Sequence, residues 1–288
     1  MDNRDQAVGI RRMIAARPIQ VLAVSSGKGG VGKTNLSVNL GICLSQLGRK
    51  VALMDADMGL ANVDVLLGIQ PRFNLFHVLS GERSLEEIMI EGPGGLYVVP
   101  ASSGIQRMSE LNSGEQGALI RAFGEIDADL DVLIVDTAAG ISSSVLNFVQ
   151  ACQHVIVVVC DEPTSLTDAY ALIKLLSREH DVNRFQVVAS MVTDDAQGRE
   201  LFMKLCRVTE KYLDISPQFL GSVPFDPYVR KSVQRQMPVC LSYPGGKSAT
   251  AFASIARKVD RLPVQGGASG RMEFFVERML RASAGSSA

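Results

Sequence analysis

The apolar positions of this chain fall into two periods. Short runs that are apolar almost throughout recur at Ile19 to Ser25, Lys50 to Asp55, Leu96 to Pro100, Asp131 to Asp136, His154 to Val159, Gln186 to Val192 and Phe219 to Pro224. Runs of this kind read as strands covered on both faces, as in a parallel sheet. Between them lie stretches with one apolar stripe at helical spacing. Asn35 to Leu47 carries Leu36, Leu40 and Leu44 on one face. Ser109 to Ile126 reads as an amphipathic surface helix, and Ser248 to Leu262 as the helix closing the core. Asp161-Glu162-Pro163-Thr164 opens another helix, with Ser165, Leu166 and Asp168 in its first turn, and its acids read as caps and dipole partners. Residues 65–95 hold short helical pieces, broken at Gly68, Pro71, Gly81 and Gly92-Pro93-Gly94-Gly95, whose Leu75, Val78, Leu79, Leu85 and Ile88 read as core. This alternation predicts an α/β fold, a doubly wound, mostly parallel sheet flanked by helices.

The two ends break the alternation. In residues 1–18, Ala7, Ile10 and Ile14 line one face of a short helix that Gly9 weakens, which reads as a frayed or partner-bound arm. Residues 19–262 form the α/β domain, and residues 263–270 read as a flexible linker. In residues 271–288, Met272, Phe275, Val276, Met279 and Leu280 make one apolar stripe, with Arg271, Arg278 and Arg281 outside it. A stripe with a basic flank on a glycine linker suits a helix lying in a membrane surface. Docking on its own domain would bury the same stripe.

Composition narrows the classes. At 288 residues and 47% hydrophobic, the chain has material for a large core, and a formal net charge of −1 argues against binding nucleic acid by bulk charge. The 5 cysteines, Cys43, Cys152, Cys160, Cys206 and Cys240, are scattered without a C-x-x-C pair, as in a cytosolic protein with reduced thiols. His77, His154 and His180 are isolated, so no histidine metal centre is expected. The charged start, Met1-Asp2-Asn3-Arg4-Asp5, lacks the apolar segment of a signal peptide.

The chemistry concentrates after the first strand. Gly27-Lys28-Gly29-Gly30-Val31-Gly32-Lys33-Thr34 fits the phosphate-loop pattern and stands between a strand and a helix, as the motif requires. Glycines let successive N–H groups turn toward a phosphate, and the helix start adds unpaired N–H groups and positive dipole. Lys33 is expected to reach the β- and γ-phosphates and the Thr34 hydroxyl to ligate Mg²⁺, with Asn35 completing the nucleotide-binding stretch. Asp55 and Asp57, two residues apart at the carboxyl end of a strand, point the same way. They lie where open sheets bind ligands, Asp57 to orient a water at the γ-phosphate and Asp55 to support the Mg²⁺ region. The run ending at Asp136 is a Walker B arrangement, its carboxylate holding Mg²⁺ through water, and Gly140 in the following Thr137-Ala138-Ala139-Gly140 frees a loop to sense the γ-phosphate.

Lys28 sharpens this. A loop needs only Lys33 for its own nucleotide, and the string KGGVGKT resembles the deviant phosphate loop of the MinD/ParA/nitrogenase-iron-protein ATPases. In that family the early lysine crosses a dimer interface to the partner's phosphates. The resemblance implies ATP and Mg²⁺ as cofactors, slow hydrolysis, a homodimer when ATP is bound, and catalytic roles for Lys28, Lys33 and Asp57. Asp57 joins Thr34 and Asp136 around the metal. In relatives a V-P-x-D turn packs on base and ribose, which carries over to Pro224 and Asp226, whereas the asparagine that reads adenine near Ser190 is absent here. At the N-terminus, Asp5-Gln6-Ala7-Val8-Gly9-Ile10-Arg11 resembles the DQAxxLR arm of the FleN/FlhG branch, with Ile10 for leucine. That branch implies control of flagellar number and placement. Its partners are a GTPase of the FlhF type, through Asp5, Gln6, Ala7, Ile10 and Arg11, and a transcription activator of the FleQ type, which it restrains. The tail resembles the membrane-targeting helix of MinD-like proteins, implying a cytoplasmic protein peripherally bound to the inner membrane in its ATP state. No sequence-specific nucleic-acid contact is expected. MinD-type division-site, ParA-type partition and Mrp-type iron–sulfur carrier ATPases share the loop. The scattered cysteines disfavour the last, and the N-terminal arm sets the chain apart from MinD.

Overall fold

The computed structural model describes residues 18–57, 63–100, 130–264 and 272–285. The N-terminal arm, with Asp5, Gln6, Ala7, Ile10 and Arg11, the expected helix at Ser109 to Ile126 and most of the linker lie outside the described residues.

The strands are β1 (Gln20–Ser25), β2 (Val51–Ala56), β3 (Ile90–Glu91), β4 (Leu96–Pro100), β5 (Val132–Thr137), β6 (His154–Val159), β7 (Phe185–Val192) and β8 (Gln218–Pro224). They form one sheet in the order β3-β4-β2-β5-β1-β6-β7-β8, parallel except for the short antiparallel β3. Every residue of β1, β2, β5 and β6 is buried, which explains their apolar runs. β1 sits centrally between β5 and β6, so the chain leaving it turns first toward one edge and later toward the other. That reversal opens a crevice beyond the carboxyl ends of the strands.

Helices cover both faces. One carries α1 (Lys33–Gln46), α2 (Val63–Leu67), α9 (Val239–Ser242) and α10 (Lys247–Val259), whose Leu36, Leu40, Phe252 and Ile255 join the core of that side. The other carries α5 (Ser143–Ala151), α6 (Pro163–Glu179) and α7 (Asp195–Leu213). The short α3 (Leu75–Leu79) and α4 (Leu85–Ile88) both begin with capping boxes, from Asn74 and Ser84. The eight-residue α8 (Pro227–Gln234) follows β8 and is capped by Asp226.

The tail forms α11 (Met272–Gly285), and four residues of its stripe are covered. Phe275, Val276, Met279 and Leu280 are buried in the same cluster as Phe148 and Val149 of α5, and Arg278 donates to the carbonyl of Gln150. Covering the apolar side chains of α5 and α11 with each other removes both from water. Among the described residues no helix is long and apolar enough to cross a membrane.

Candidate functional site

The loop after β1 curls through left-handed Gly30 (φ 80°) and Gly32 (φ 87°), conformations that side chains rarely adopt. It ends as α1 begins at Lys33, leaving the helix N-terminus facing the crevice. Two packing contacts hold it there. A methyl group on Gly27 would lie 2.3 Å from the backbone carbon of Asp168 in α6, and one on Gly32 would lie 3.1 Å from Ser190 Oγ in β7. Asp168 thus serves as the wall against which Gly27 turns. Changing Gly27 to Ala is expected to displace the loop from α6, lowering Tm by a few degrees, at roughly 2–4 °C per kcal/mol and ~1–3 kcal/mol of overpacking. ATP affinity should fall at least about tenfold. Thermal unfolding and titration with a fluorescent ATP analogue check this.

Lys33 is buried, and its ammonium lies 3.1 Å from Asp136 Oδ1, which also accepts from Ser37 Oγ at 2.7 Å. The other oxygen, Asp136 Oδ2, is buried and has no hydrogen-bond partner among the described residues. An orphaned carboxylate oxygen beside a phosphate loop fits a hydrated Mg²⁺. The register of β2 against β5 sets Asp55 opposite Asp136. Asp55 is buried and accepts from the backbone N–H of Asp57 (3.3 Å) and of Val63 (3.4 Å). Burial, then the neighbouring Asp136 charge, pushes its carboxyl up to about 7, a value belonging to the metal-free arrangement, since a bound cation would favour its ionised form. Asp57, half-buried, stands one residue beyond β2. Across the crevice the N–H of Gly140 (φ 99°) donates to the Ser26 carbonyl at 2.8 Å, which straps the loop after β5 to the phosphate loop.

Lys28 corrects one expectation. Its ammonium pairs with Glu162 and also donates to Thr164 Oγ1, at 3.2 Å. Glu162 occupies the N-cap position of α6, but its side chain makes no capping hydrogen bond; its carboxylate, with the hydrogen bond as the main cause, raises the Lys28 pKa instead. The sequence shows an acid beside a helix start, a common dipole pattern, and nothing in it signals a partner 134 residues away. Asp226 is buried, with Oδ1 accepting from Tyr228 N–H (2.9 Å) and Oδ2 from the Ser248 hydroxyl (2.8 Å) and N–H (3.2 Å). It ties the V-P-x-D turn to α8 and α10, with Pro224 ending β8 beside it.

Among the described residues no group of three or more His, Cys, Asp or Glu is placed to hold a metal by itself, and the five cysteines are free thiols. His154 is buried, bonds the Pro263 carbonyl through Nε2 at 3.0 Å and has its pKa lowered by burial, as a structural histidine does. Buried Lys33, the orphaned Asp136 oxygen and half-exposed Lys28, held by Glu162 and Thr164, thus lie around one loop at the carboxyl end of the sheet.

A family model described as an AAA domain matches residues 19–187, and one described as a NUBPL iron-transfer P-loop NTPase matches residues 115–260. The chain is similar to the antiactivator FleN of Pseudomonas aeruginosa, at 51% identity over 97% of this chain and 100% of that protein. It is 35% identical to the flagellum site-determining protein YlxH of Helicobacter pylori, over 75% of this chain and 73% of that one. Among solved structures, the MinC:MinD cell division complex of Aquifex aeolicus superposes with a TM-score of 0.67 at 25% identity, covering 86% of this chain and 98% of that one. MinD of Pyrococcus horikoshii with Mg-ADP superposes with a TM-score of 0.64 at 24% identity, covering 85% and 97%, and shares the fold.

Proposed function

Because the chain belongs to the FleN/FlhG family of MinD-like phosphate-loop ATPases, we propose that it is an ATP-dependent dimerising switch. In this reading it limits flagellar number and placement by restraining a FleQ-type transcription activator and engaging an FlhF-type GTPase. Family membership carries ATP binding, Mg²⁺ binding and ATPase activity, and the FleN and YlxH relatives carry regulation of the flagellum.

Lys33, Thr34 and Asp136 would hold the phosphates and Mg²⁺, which would supply charge neutralisation at the γ-phosphoryl group. Asp57 orients the attacking water from the edge of the metal region. Lys28 reaches the phosphates of a second protomer, so ATP joins two chains face to face and hydrolysis separates them. Asp5, Gln6, Ala7, Ile10 and Arg11 engage the GTPase. The stripe of Met272, Phe275, Val276, Met279 and Leu280 binds the inner membrane once α11 leaves α5, and a dimer with two such helices binds by avidity. Such a switch acts through which partners each state binds, so slow turnover suffices.

The half-exposed Lys28, whose ammonium turns away from its own loop's lining to Glu162 and Thr164, is the observation that carries the dimer reading. Lys28→Ala is expected to leave ATP affinity within about twofold, because its ammonium belongs to another protomer's site. It should lower ATPase activity about tenfold or more and abolish the rise of specific activity with protein concentration. Steady-state phosphate release over a concentration series checks this. Undiminished, concentration-dependent activity would rule out the role in trans.

A further inference from the structure

We propose that the surface shared by α2 and the end of α8 docks an acidic segment of a protein partner that also carries aliphatic side chains, an inference resting on the antiactivator reading above. The two elements touch. Gln236 Nε2, just past α8, donates to the Val65 carbonyl at 3.1 Å, and a Cβ on Gly68 would lie 3.1 Å from the Gln236 Cβ. Around this contact the chain leaves apolar side chains in water: Val65 is 60% exposed, and Met237 and Val233 are also exposed. Apolar side chains gathered at one contact mark an interaction site more often than scattered ones do.

Charge selects the occupant. Arg230, Lys231 and Arg235 are all exposed and make no ion pair among the described residues. The Lys231 ammonium lies 5.1 Å over the Tyr228 ring and the Arg235 guanidinium 5.9 Å over the Tyr243 ring, which holds both near the surface. The one carboxylate in residues 225–237, Asp226, is buried and consumed by the cap. On α2, Asp64 bonds the N–H of its neighbour Val65 at 2.7 Å. A protein of net charge −1 therefore concentrates three cations beside an aliphatic patch. Aromatic, Arg and Met side chains are enriched at protein–protein interfaces. The cations call for carboxylates, while Val65, Val233 and Met237 call for aliphatic groups, which a nucleic-acid backbone lacks.

The position gives the surface a switch. α2 begins at Val63, whose N–H donates to Asp55 Oδ2 at 3.4 Å, and Asp55 stands opposite Asp136 in the Mg²⁺ region. Val65 lies two residues along the helix whose first N–H Asp55 accepts, so a change in what Asp55 binds bears directly on it, while α8 is fixed to α10 through Asp226. A partner bridging both reads the nucleotide state.

The test uses the full chain with Mg–ATP and the purified full-length FleQ-type activator of the same host, with binding measured by calorimetry at two salt concentrations. Arg230→Glu/Lys231→Glu/Arg235→Glu is expected to weaken binding about tenfold or more and to remove most of its salt dependence. Val65→Ser/Met237→Ser is expected to weaken it several-fold at either salt. Thermal unfolding and ATP affinity should match the unaltered chain, since none of these side chains is buried or in the phosphate site. Binding within twofold for both variants overturns the surface. So does a loss of ATP-dependent dimerisation in light scattering, which would assign it to a second copy, or a DNA gel shift that the charge reversal abolishes, which would assign it to nucleic acid. If the unaltered chain hydrolyses ATP but binds no activator, the antiactivator reading fails, and this surface with it.

Discussion

Asp57→Ala is expected to bind Mg–ATP as the unaltered chain does, hydrolyse it ~10²–10⁴-fold more slowly, and accumulate as a dimer in saturating ATP. The magnitude is that of removing a positioned base or water-orienting group. Binding survives because Lys33, Thr34 and Asp136, on α1 and β5, do not depend on this side chain, and Asp55 stays anchored by backbone N–H groups. Asp57 stands beyond the end of β2, next to the Mg²⁺ region, so its loss removes a contact needed only when water attacks. Single-turnover phosphate release and light scattering check the pair of effects together. A monomer in saturating ATP would sink the assignment of Asp57 to hydrolysis. A large fall in Mg²⁺ affinity would make it chiefly a metal ligand.

Removing residues 271–288 has the largest expected effect on stability. It uncovers Phe148 and Val149 as it deletes Phe275, Val276, Met279 and Leu280, all now buried. Burying side chains of this size stabilises by ~1.5–3 kcal/mol each, against which stands the entropy of ordering the helix. A net loss of a few kcal/mol remains, and Tm should fall by roughly 5–10 °C for a chain of this length. Cys152, buried beside this face with its thiol pushed up by burial and bonded to the Phe148 carbonyl at 3.2 Å, should gain reactivity toward a thiol reagent. ATP-dependent sedimentation with anionic liposomes should disappear, while ATP hydrolysis persists. Sedimentation unchanged by the deletion would sink the membrane reading. An unchanged Tm with Cys152 still protected would show that docking of α11 contributes little.

The strands at Gln20, Val51, Val132, His154 and Phe185 were legible because a strand buried on both faces has to be apolar at nearly every position. Their ends shift by one residue where a polar residue such as Lys50 lies just outside the ladder. The glycine loop was legible because its chemistry is local: glycines, a lysine and a threonine within eight residues, at a strand-to-helix turn. The tail was half legible. A stripe at Phe275, Val276, Met279 and Leu280 states that something apolar must cover it, and α5 and a lipid surface meet that need equally well.

By itself the sequence determined the parallel sheet, the phosphate-binding turn, the acids at the ends of β2 and β5 and the existence of an amphipathic tail. Each of these follows from residues near one another in the chain. The tertiary structure alone decided that Glu162 and Thr164 hold Lys28, that Asp168 walls in Gly27, that Ser190 crowds Gly32, and that α5 receives α11. These contacts join groups more than a hundred residues apart, and no periodicity or spacing encodes them. They arise only when the strand order brings β6 and β7 to one side of β1 and sets their loops around the same crevice.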